Sequence, residues 1–289
     1  MNTIRPRRSV LYMPGSNARA MEKARALPAD AVILDLEDAV APDAKAMARD
    51  QVCQAVKARG FGKREVVIRI NALNSDWGAA DIAAAAAAAP DAILLPKVST
   101  AVDLAMAQSR LAGAAPHIAL WAMIETPLAI LNVGAIAAAG GRLSCFVMGT
   151  NDLIKEFHGL HMQDRQNLFA ALGLSVAAAR AHGLAVIDGV YNDIQNAAGF
   201  LDVCRQGRAF GFDGKTLIHP TQIEPCNKVF SPDPDEIAGA RKIIAAFDLA
   251  ENSGKGAIAL DGRMVERLHA EIARRTVALA DAIAELERA

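Results

Sequence analysis

The feature that most constrains this chain is a regular alternation of short apolar runs with longer alanine-rich stretches of helical pattern. Runs such as VILDL, VVIRI and AILLP lack the polar alternation of a half-exposed strand and are typical of parallel strands buried on both faces. We predict strands at 9–13, 31–36, 65–70, 92–95, 118–124, 143–148, 185–190 and 209–217. Eight βα units in about 220 residues predict an α/β protein with a closed TIM (β/α)8 barrel.

The chain changes character after the predicted barrel core, which we place at 1–230. Residues 231–289 begin with a proline-rich turn, SPDPD, and a helix is predicted to follow to about residue 252. The glycine-rich stretch NSGKG (252–256) then separates this helix from a strand-like AIAL, the tetrapeptide DGRM and a last helix. A glycine hinge predicts an arm that can leave the barrel and cover a site.

Composition and charge exclude several classes of protein. The net charge of −1 carries no footprint of a nucleic-acid binder. No apolar run approaches the ~18 residues that a membrane span needs, and the basic N-terminus is not followed by the apolar core of a signal peptide. The four cysteines lie far apart without a CxxC pair, so we expect free thiols and a cytoplasmic protein.

Charged residues follow five consecutive predicted strands, at the edge where a TIM barrel builds its active site. They are Glu37 and Asp38, Arg69, Lys97, Glu125, and Asp152. Glu125 ends a run long enough to be buried, and a buried carboxylate needs a partner or a metal. Because Glu125 and Asp152 have no Cys or His beside them, they suit a hard cation such as Mg²⁺.

The two cations at this edge predict an anionic substrate. The guanidinium of Arg69 can hold a carboxylate in bidentate fashion, and Lys97 is predicted to bind substrate beside it. Together with a metal, Arg69 outlines a site for a small acid with vicinal oxygens, such as a 2-keto acid. In the structural alternative, Arg69 only pairs with Glu37 or Asp38.

Eight motifs in order along the chain resemble the citrate lyase β-subunit and malyl-CoA lyase family of the HpcH/HpaI aldolase/citrate lyase superfamily. They are RSVLYMPGSN, ILDLEDAV, VIRIN, LLPKV, IET, GTNDL, GFDGKTLIHPTQI and ALDGRM. The resemblance implies a TIM barrel in which Glu125 and Asp152 bind Mg²⁺ and Arg69 holds the carboxylate of the keto acid. It also implies that Glu37 and Asp38 stand behind the metal and orient its waters.

The same resemblance assigns roles outside the predicted metal site. Asp261 of the DGRM segment would be the acid/base residue, carried by an arm that lies over a neighbouring subunit, so a homotrimer or hexamer is expected. Arg19 and Lys23 would bind the CoA phosphates, and Lys215 and His219 would line the site or the path of the thioester. After DGRM the chain reads VERLH, where many relatives have an acidic residue and a proline.

The prediction is a Mg²⁺-dependent C–C lyase that cleaves a 3-hydroxyacyl-CoA, such as malyl-CoA or citramalyl-CoA, into an acyl-CoA and a 2-keto acid. One alternative is a citrate lyase β-subunit acting on citryl-acyl carrier protein. Another is a metal-dependent pyruvate-type aldolase, which is disfavoured because such enzymes usually have a His after the second strand and this chain has none before His117. A non-catalytic acyl-CoA or keto-acid binding protein is the alternative of a different class.

Overall fold

The computed structural model describes residues 4–288. The chain divides into two compact units, which we describe separately. The larger comprises residues 7–228, and the smaller comprises residues 229–288 together with residues 4–6.

The larger unit is a closed barrel of eight parallel strands, each hydrogen-bonded to the next, with β1 paired to β8. The strands are β1 (Ser9–Pro14), β2 (Ala31–Asp35), β3 (Glu65–Arg69), β4 (Ala92–Leu95), β5 (Ala119–Ile124), β6 (Leu143–Met148), β7 (Ala185–Asp188) and β8 (Gly214–Leu217). The helices that begin in this unit are α1 (Ala18–Ala24), α2 (Lys45–Ala58), α3 (Gly78–Ala88), α4 (Ala101–Arg110), α5 (Pro127–Ala137), α6 (Thr150–Glu156), α7 (Phe169–Ala181), α8 (Ala197–Phe210) and α9 (Ile223–Phe230). The predicted TIM barrel is confirmed.

Alternate residues of β1 to β7 point into the barrel and form one apolar cluster. It includes Ile33 of β2, Val67 of β3, Trp121 and Met123 of β5, and Val147 of β6, all nearly or fully buried. Because side chains alternate along a strand, the residue two positions beyond each of these also faces inward. This rule decides which strand-end residues reach the mouth of the barrel.

The predicted strand at 209–217 is wrong in its first half, because α8 continues through Phe210. Gly211, with φ of 97°, ends the helix in the left-handed conformation, and the amide of Phe212 donates to the carbonyl oxygen of Gly207. This pattern is a common glycine-based helix end. The strand proper begins at Gly214, where an added Cβ would lie 1.8 Å from the carbonyl oxygen of Arg7.

The smaller unit contains α10 (Pro234–Asp248), a two-stranded antiparallel hairpin of β9 (Ala257–Leu260) and β10 (Arg263–Glu266), and α11 (Arg267–Glu287). The helix predicted to reach residue 252 ends at Asp248 and is followed by a short 3₁₀ turn, Ala250–Asn252. The second hairpin strand was not predicted. Its signal was the Asp-Gly pair at the turn, where Asp261 and Gly262 have φ of 49° and 75°, as a two-residue type I′ turn requires.

Among residues 4–288, no helix is both long and apolar enough to cross a membrane. All four cysteines are buried free thiols, as expected from their spacing.

Candidate active site

Because side chains along each strand face alternately into and out of the barrel, three charged side chains lie at its mouth. Asp35, Arg69 and Glu125 lie two residues beyond the core residues of β2, β3 and β5, and each is less than a tenth exposed. Asp35 and Arg69 are direct partners in the β2–β3 register. The carboxyl ends of these strands therefore carry a buried charged cluster into the region where barrel enzymes build their sites.

Arg69 makes its strongest contacts with Asp35, which the sequence argument did not name as a partner. Nε donates to Oδ1 at 2.7 Å and Nη2 donates to Oδ2 at 2.6 Å, a bidentate ion pair. Nη1 lies 2.8 Å from Glu37 Oε2 and 3.5 Å from Asp38 Oδ2. The structural alternative for Arg69 was therefore incomplete, because the guanidinium contacts three acids rather than Glu37 or Asp38 alone.

Glu125 is a buried carboxylate of which only one oxygen is paired. Oε1 accepts the backbone N–H of Lys97 at 2.7 Å, whereas Oε2 accepts no hydrogen bond from any described residue. Burial, followed by the charges of Glu37 and Asp152, raises the pKa of Glu125 to about 8. Burial also raises the pKa of Glu37 to about 7, with Arg69 opposing the rise. Burial is thus the main cause that holds both carboxyl groups toward the neutral form, and the charges of neighbouring acids add to it.

Gly149, between β6 and α6, leaves the space that Glu125 occupies. A Cβ at position 149 would lie 2.3 Å from Oε2 and 2.4 Å from the Cβ of Glu125, distances that no real packing allows. Gly149 is thus required for Glu125 to stand where it does.

Asp152 in the first turn of α6 and Lys97 after β4 form an ion pair across the mouth. Lys97 Nζ lies 3.2 Å from Asp152 Oδ1, and both side chains are partly exposed. Although partial burial lowers the pKa of Lys97, the charges of Glu125 and Asp152 raise it overall. Lys97 has a φ of 53°, a left-handed conformation that is uncommon for a residue with a side chain.

The donors at this mouth fit a hard divalent cation. Glu125 Oε2 is an unpaired buried carboxylate oxygen, and the carboxylate of Asp152 lies near enough to raise its pKa. Within residues 4–288, no three His, Cys, Asp or Glu side chains converge to hold an ion by themselves. That arrangement suits Mg²⁺, which is commonly bound by one or two carboxylates while waters and substrate oxygens complete its shell.

The remaining predicted residues lie in several places. Arg19 and Lys23 lie on α1, directly after β1, and are exposed. Asp261 lies at the exposed tip of the hairpin in the smaller unit, with its Oδ2 4.0 Å from Lys242 Nζ. His219 is partly buried, and its Nδ1 lies 2.8 Å from the hydroxyl of Thr221.

The prediction that Lys215 lines the site is wrong. Its register places it on the outward face of β8, fully buried, with Nζ 3.0 Å from Asp188 Oδ2. Arg165 Nη1 donates to the same carboxylate at 2.8 Å. Lys215 therefore helps to join β7, β8 and the loop that carries Arg165, away from the barrel interior.

Asp35 and Gly149 are the site residues that sequence reasoning missed. Asp35 could have been found from its position in the alternation of inward and outward side chains, because it lies two residues after the core residue Ile33 and opposite Arg69. Gly149 left no chemical signal, since its role is to leave room for the side chain of Glu125.

A cavity of about 130 Å³ lies beside Lys97, between the loops that follow β3 and β4. Leu73, Pro96 and Met106 form much of its wall, with Asn74 as a polar member. A larger cavity of about 470 Å³ lies elsewhere, between residues 162–164 and α8. The smaller cavity adjoins the charged cluster through Lys97, whose backbone N–H donates to Glu125 Oε1.

Known proteins resemble this chain over most of its length. Residues 8–220 match the family described as HpcH/HpaI aldolase/citrate lyase. A (3S)-malyl-CoA thioesterase of Cereibacter sphaeroides strain KD131 is 51% identical over 96% of each chain, and the citrate lyase subunit beta of Escherichia coli K12 is 35% identical over 91% of this chain and 89% of its own. The structure of CitE from Mycobacterium tuberculosis in complex with magnesium, acetoacetate and coenzyme A has a TM-score of 0.78 at 31% identity, covering 96% of this chain and 98% of CitE.

Proposed function

This chain belongs to the HpcH/HpaI aldolase/citrate lyase family, as its motifs predict, and on that premise we propose that it is a Mg²⁺-dependent enzyme acting on a CoA thioester of the malyl-CoA type. The observation that carries the proposal is the buried Oε2 of Glu125, which has no partner among the described residues and stands near Asp152. The complex of CitE with magnesium, acetoacetate and coenzyme A supports the same ligand classes for this chain.

In this proposal Glu125 and Asp152 hold the metal, which supplies Lewis acidity to the hydroxyl and carboxylate oxygens of the substrate. Arg69 neutralises the substrate carboxylate. Lys97 keeps Asp152 in place through their ion pair, and its backbone N–H orients Glu125. Arg19 and Lys23 on α1 are proposed to bind the phosphates of CoA.

We propose hydrolysis of the thioester as the reaction, releasing the free hydroxy acid and CoA. What favours hydrolysis is the 51% identity, over 96% of both chains, with a relative named (3S)-malyl-CoA thioesterase. Hydrolysis requires only that the acid be held and that a water reach the thioester carbon, and a carboxylate at the mouth can take the proton of that water.

Cleavage of the C–C bond, the reaction predicted from the sequence, is the second candidate. It is favoured by the presence of Arg69 at the same mouth as the two candidate metal-binding acids, a set suited to hold a 2-keto acid, and by the 35% identity with citrate lyase subunit beta. A carboxylate at the mouth would take the proton of the hydroxyl and the C2–C3 bond would break, giving the keto acid and a thioester enolate. An acid then protonates the enolate at C2, and Asp261 on the arm of a neighbouring subunit is the proposed donor.

One assay separates the two reactions. Purified protein is given (3S)-malyl-CoA and Mg²⁺, and free thiol and 2-keto acid are followed in parallel. Hydrolysis yields free thiol and malate without glyoxylate, whereas cleavage yields glyoxylate and acetyl-CoA without free thiol. The Glu125→Gln variant is the control for contaminating activities. If the wild-type protein gives neither product in Mg²⁺, the proposed function is wrong.

A further inference from the structure

We propose that Asp35 is a positioning residue, which sets the orientation of Arg69 toward the carboxylate of the substrate and fixes the loop that carries Glu37 and Asp38. The inference rests on the proposed function, because it assumes that Arg69 binds an acid. Asp35 itself is 1% exposed and lies beneath the groups that would meet that acid.

The carboxylate of Asp35 accepts four hydrogen bonds from two parts of the site. Its Oδ1 accepts Arg69 Nε at 2.7 Å and the backbone N–H of Glu37 at 2.9 Å. Its Oδ2 accepts Arg69 Nη2 at 2.6 Å and the backbone N–H of Ala39 at 3.1 Å. A single buried carboxylate therefore joins the guanidinium to the loop 36–39.

These contacts decide which part of Arg69 a ligand can reach. Asp35 occupies Nε and one hydrogen of Nη2, and the guanidinium carbon lies 4.9 Å from the centre of the Tyr12 ring, which covers one face. Nη1 points past Met123 Sδ, at 3.6 Å, toward Glu37. A carboxylate can therefore meet only the Nη1 and Nη2 end of the fork, and at Nη1 it must take the place of Glu37.

A second ion pair on the same strand provides a matched control. Asp30 directly precedes β2 at the opposite end of the barrel and accepts Arg8 Nε and Nη2, each at 2.9 Å. Its side chain is 1% exposed, like that of Asp35, and it also accepts a backbone N–H. A substitution there removes the same chemistry from the same strand at a distance from the mouth.

The experiment compares Asp35→Asn with Asp30→Asn. Asparagine keeps one acceptor for the loop but turns a donor toward Arg69, which breaks the bidentate pair. The dissociation constants of L-malate and of free CoA are measured by calorimetry in saturating Mg²⁺, together with the free energy of unfolding. We expect Asp35→Asn to weaken malate binding by about 10- to 100-fold, the worth of a charge-assisted contact, and to leave CoA binding unchanged. The Asp30→Asn variant should be less stable than the wild type but should bind malate with unchanged affinity.

Several outcomes would contradict the inference. Malate affinity within twofold of wild type in a folded Asp35→Asn protein would make Asp35 structural only, and an equal loss in Asp30→Asn would assign the effect to stability. If Asp35→Asn does not fold, Asp35→Glu provides the test, since it keeps the charge but moves the carboxylate by one methylene and should also weaken malate. A wild-type protein that binds neither malate nor CoA would instead refute the proposed function.

Discussion

Gly149→Ala tests whether the position of Glu125 makes the metal site. The added Cβ would lie 2.3 Å from Oε2 and 2.4 Å from the Cβ of Glu125. Ordinary contact begins at 3.4 Å, so the carboxylate and its stem must retreat by about 1 Å, many times the ±0.2 Å tolerance of a metal–ligand distance. The substitution should cost about 1–3 kcal/mol of stability, the usual effect of overpacking a well-filled interior.

The assay is Mn²⁺ binding, followed by electron paramagnetic resonance, with Mn²⁺ in place of Mg²⁺. We expect Gly149→Ala to lose at least about tenfold in Mn²⁺ affinity, as 1.4 kcal/mol or more of ligand strain implies. Gly134→Ala is the control, because Gly134 lies on α5, the helix that follows Glu125, and its Cβ would meet nothing within 4 Å. Gly134→Ala should bind Mn²⁺ normally and gain stability. Wild-type Mn²⁺ affinity in folded Gly149→Ala would refute the argument.

Three further predictions follow from the same cluster. Glu125→Gln should abolish Mn²⁺ binding and, in metal-free buffer near pH 8, raise the free energy of unfolding by roughly 1–3 kcal/mol. Because the pKa of Glu125 is about 8 in the folded protein against an ordinary 4.5, the stability that it contributes is present below about pH 4.5 and is lost as the pH rises to about 8. If the free energy of unfolding of the variant fell as steeply over this pH range as that of the wild type, Glu125 would not be the origin of the decline. Arg69→Lys should weaken the binding of malate by about 2–3 kcal/mol and have little effect on the binding of CoA. If calorimetry shows equal losses of affinity for both ligands, the role of Arg69 is structural. If C–C cleavage is the reaction, the Asp261→Asn variant should have a kcat about 10²–10⁴ lower than the wild type and should still bind Mn²⁺. Mixing Asp261→Asn subunits with Glu125→Gln subunits should restore some activity. If light scattering shows that the protein is a monomer, a site shared between subunits is excluded.

Much of the site could be predicted because it follows strand ends. Once the apolar runs predict a barrel, the charged residues after β3, β5 and β6 must lie at one edge. Arg69, Glu125 and Asp152 were placed by that rule alone, and the structure brings them to the same mouth. Their roles stay predictions, but their convergence is a consequence of topology.

The errors have a common physical cause, which is the direction of a side chain. Lys215 and Arg69 both lie on buried strands, yet the register of β8 turns Lys215 outward to Asp188 while that of β3 turns Arg69 inward. Asp35 was missed for the same reason, because its position in the inward–outward alternation of β2, and not its charge, brings it to the mouth of the barrel. Residue type alone does not contain this information, because a shift of one residue exchanges the two faces of a strand.

The closed barrel also imposes an order on folding. The strands that carry the charged mouth, β2 to β6, are consecutive in sequence, so each can pair with its neighbour as soon as it is synthesised. The pairing of Val10 with Thr216 joins nearly the two ends of the larger unit and must wait for β8. Such distant contacts form slowly, and until then β1 presents an unpaired edge to other nascent chains. The interval before closure is therefore when this protein is most exposed to aggregation, and substitutions that weaken β8 should lower its yield more than its activity.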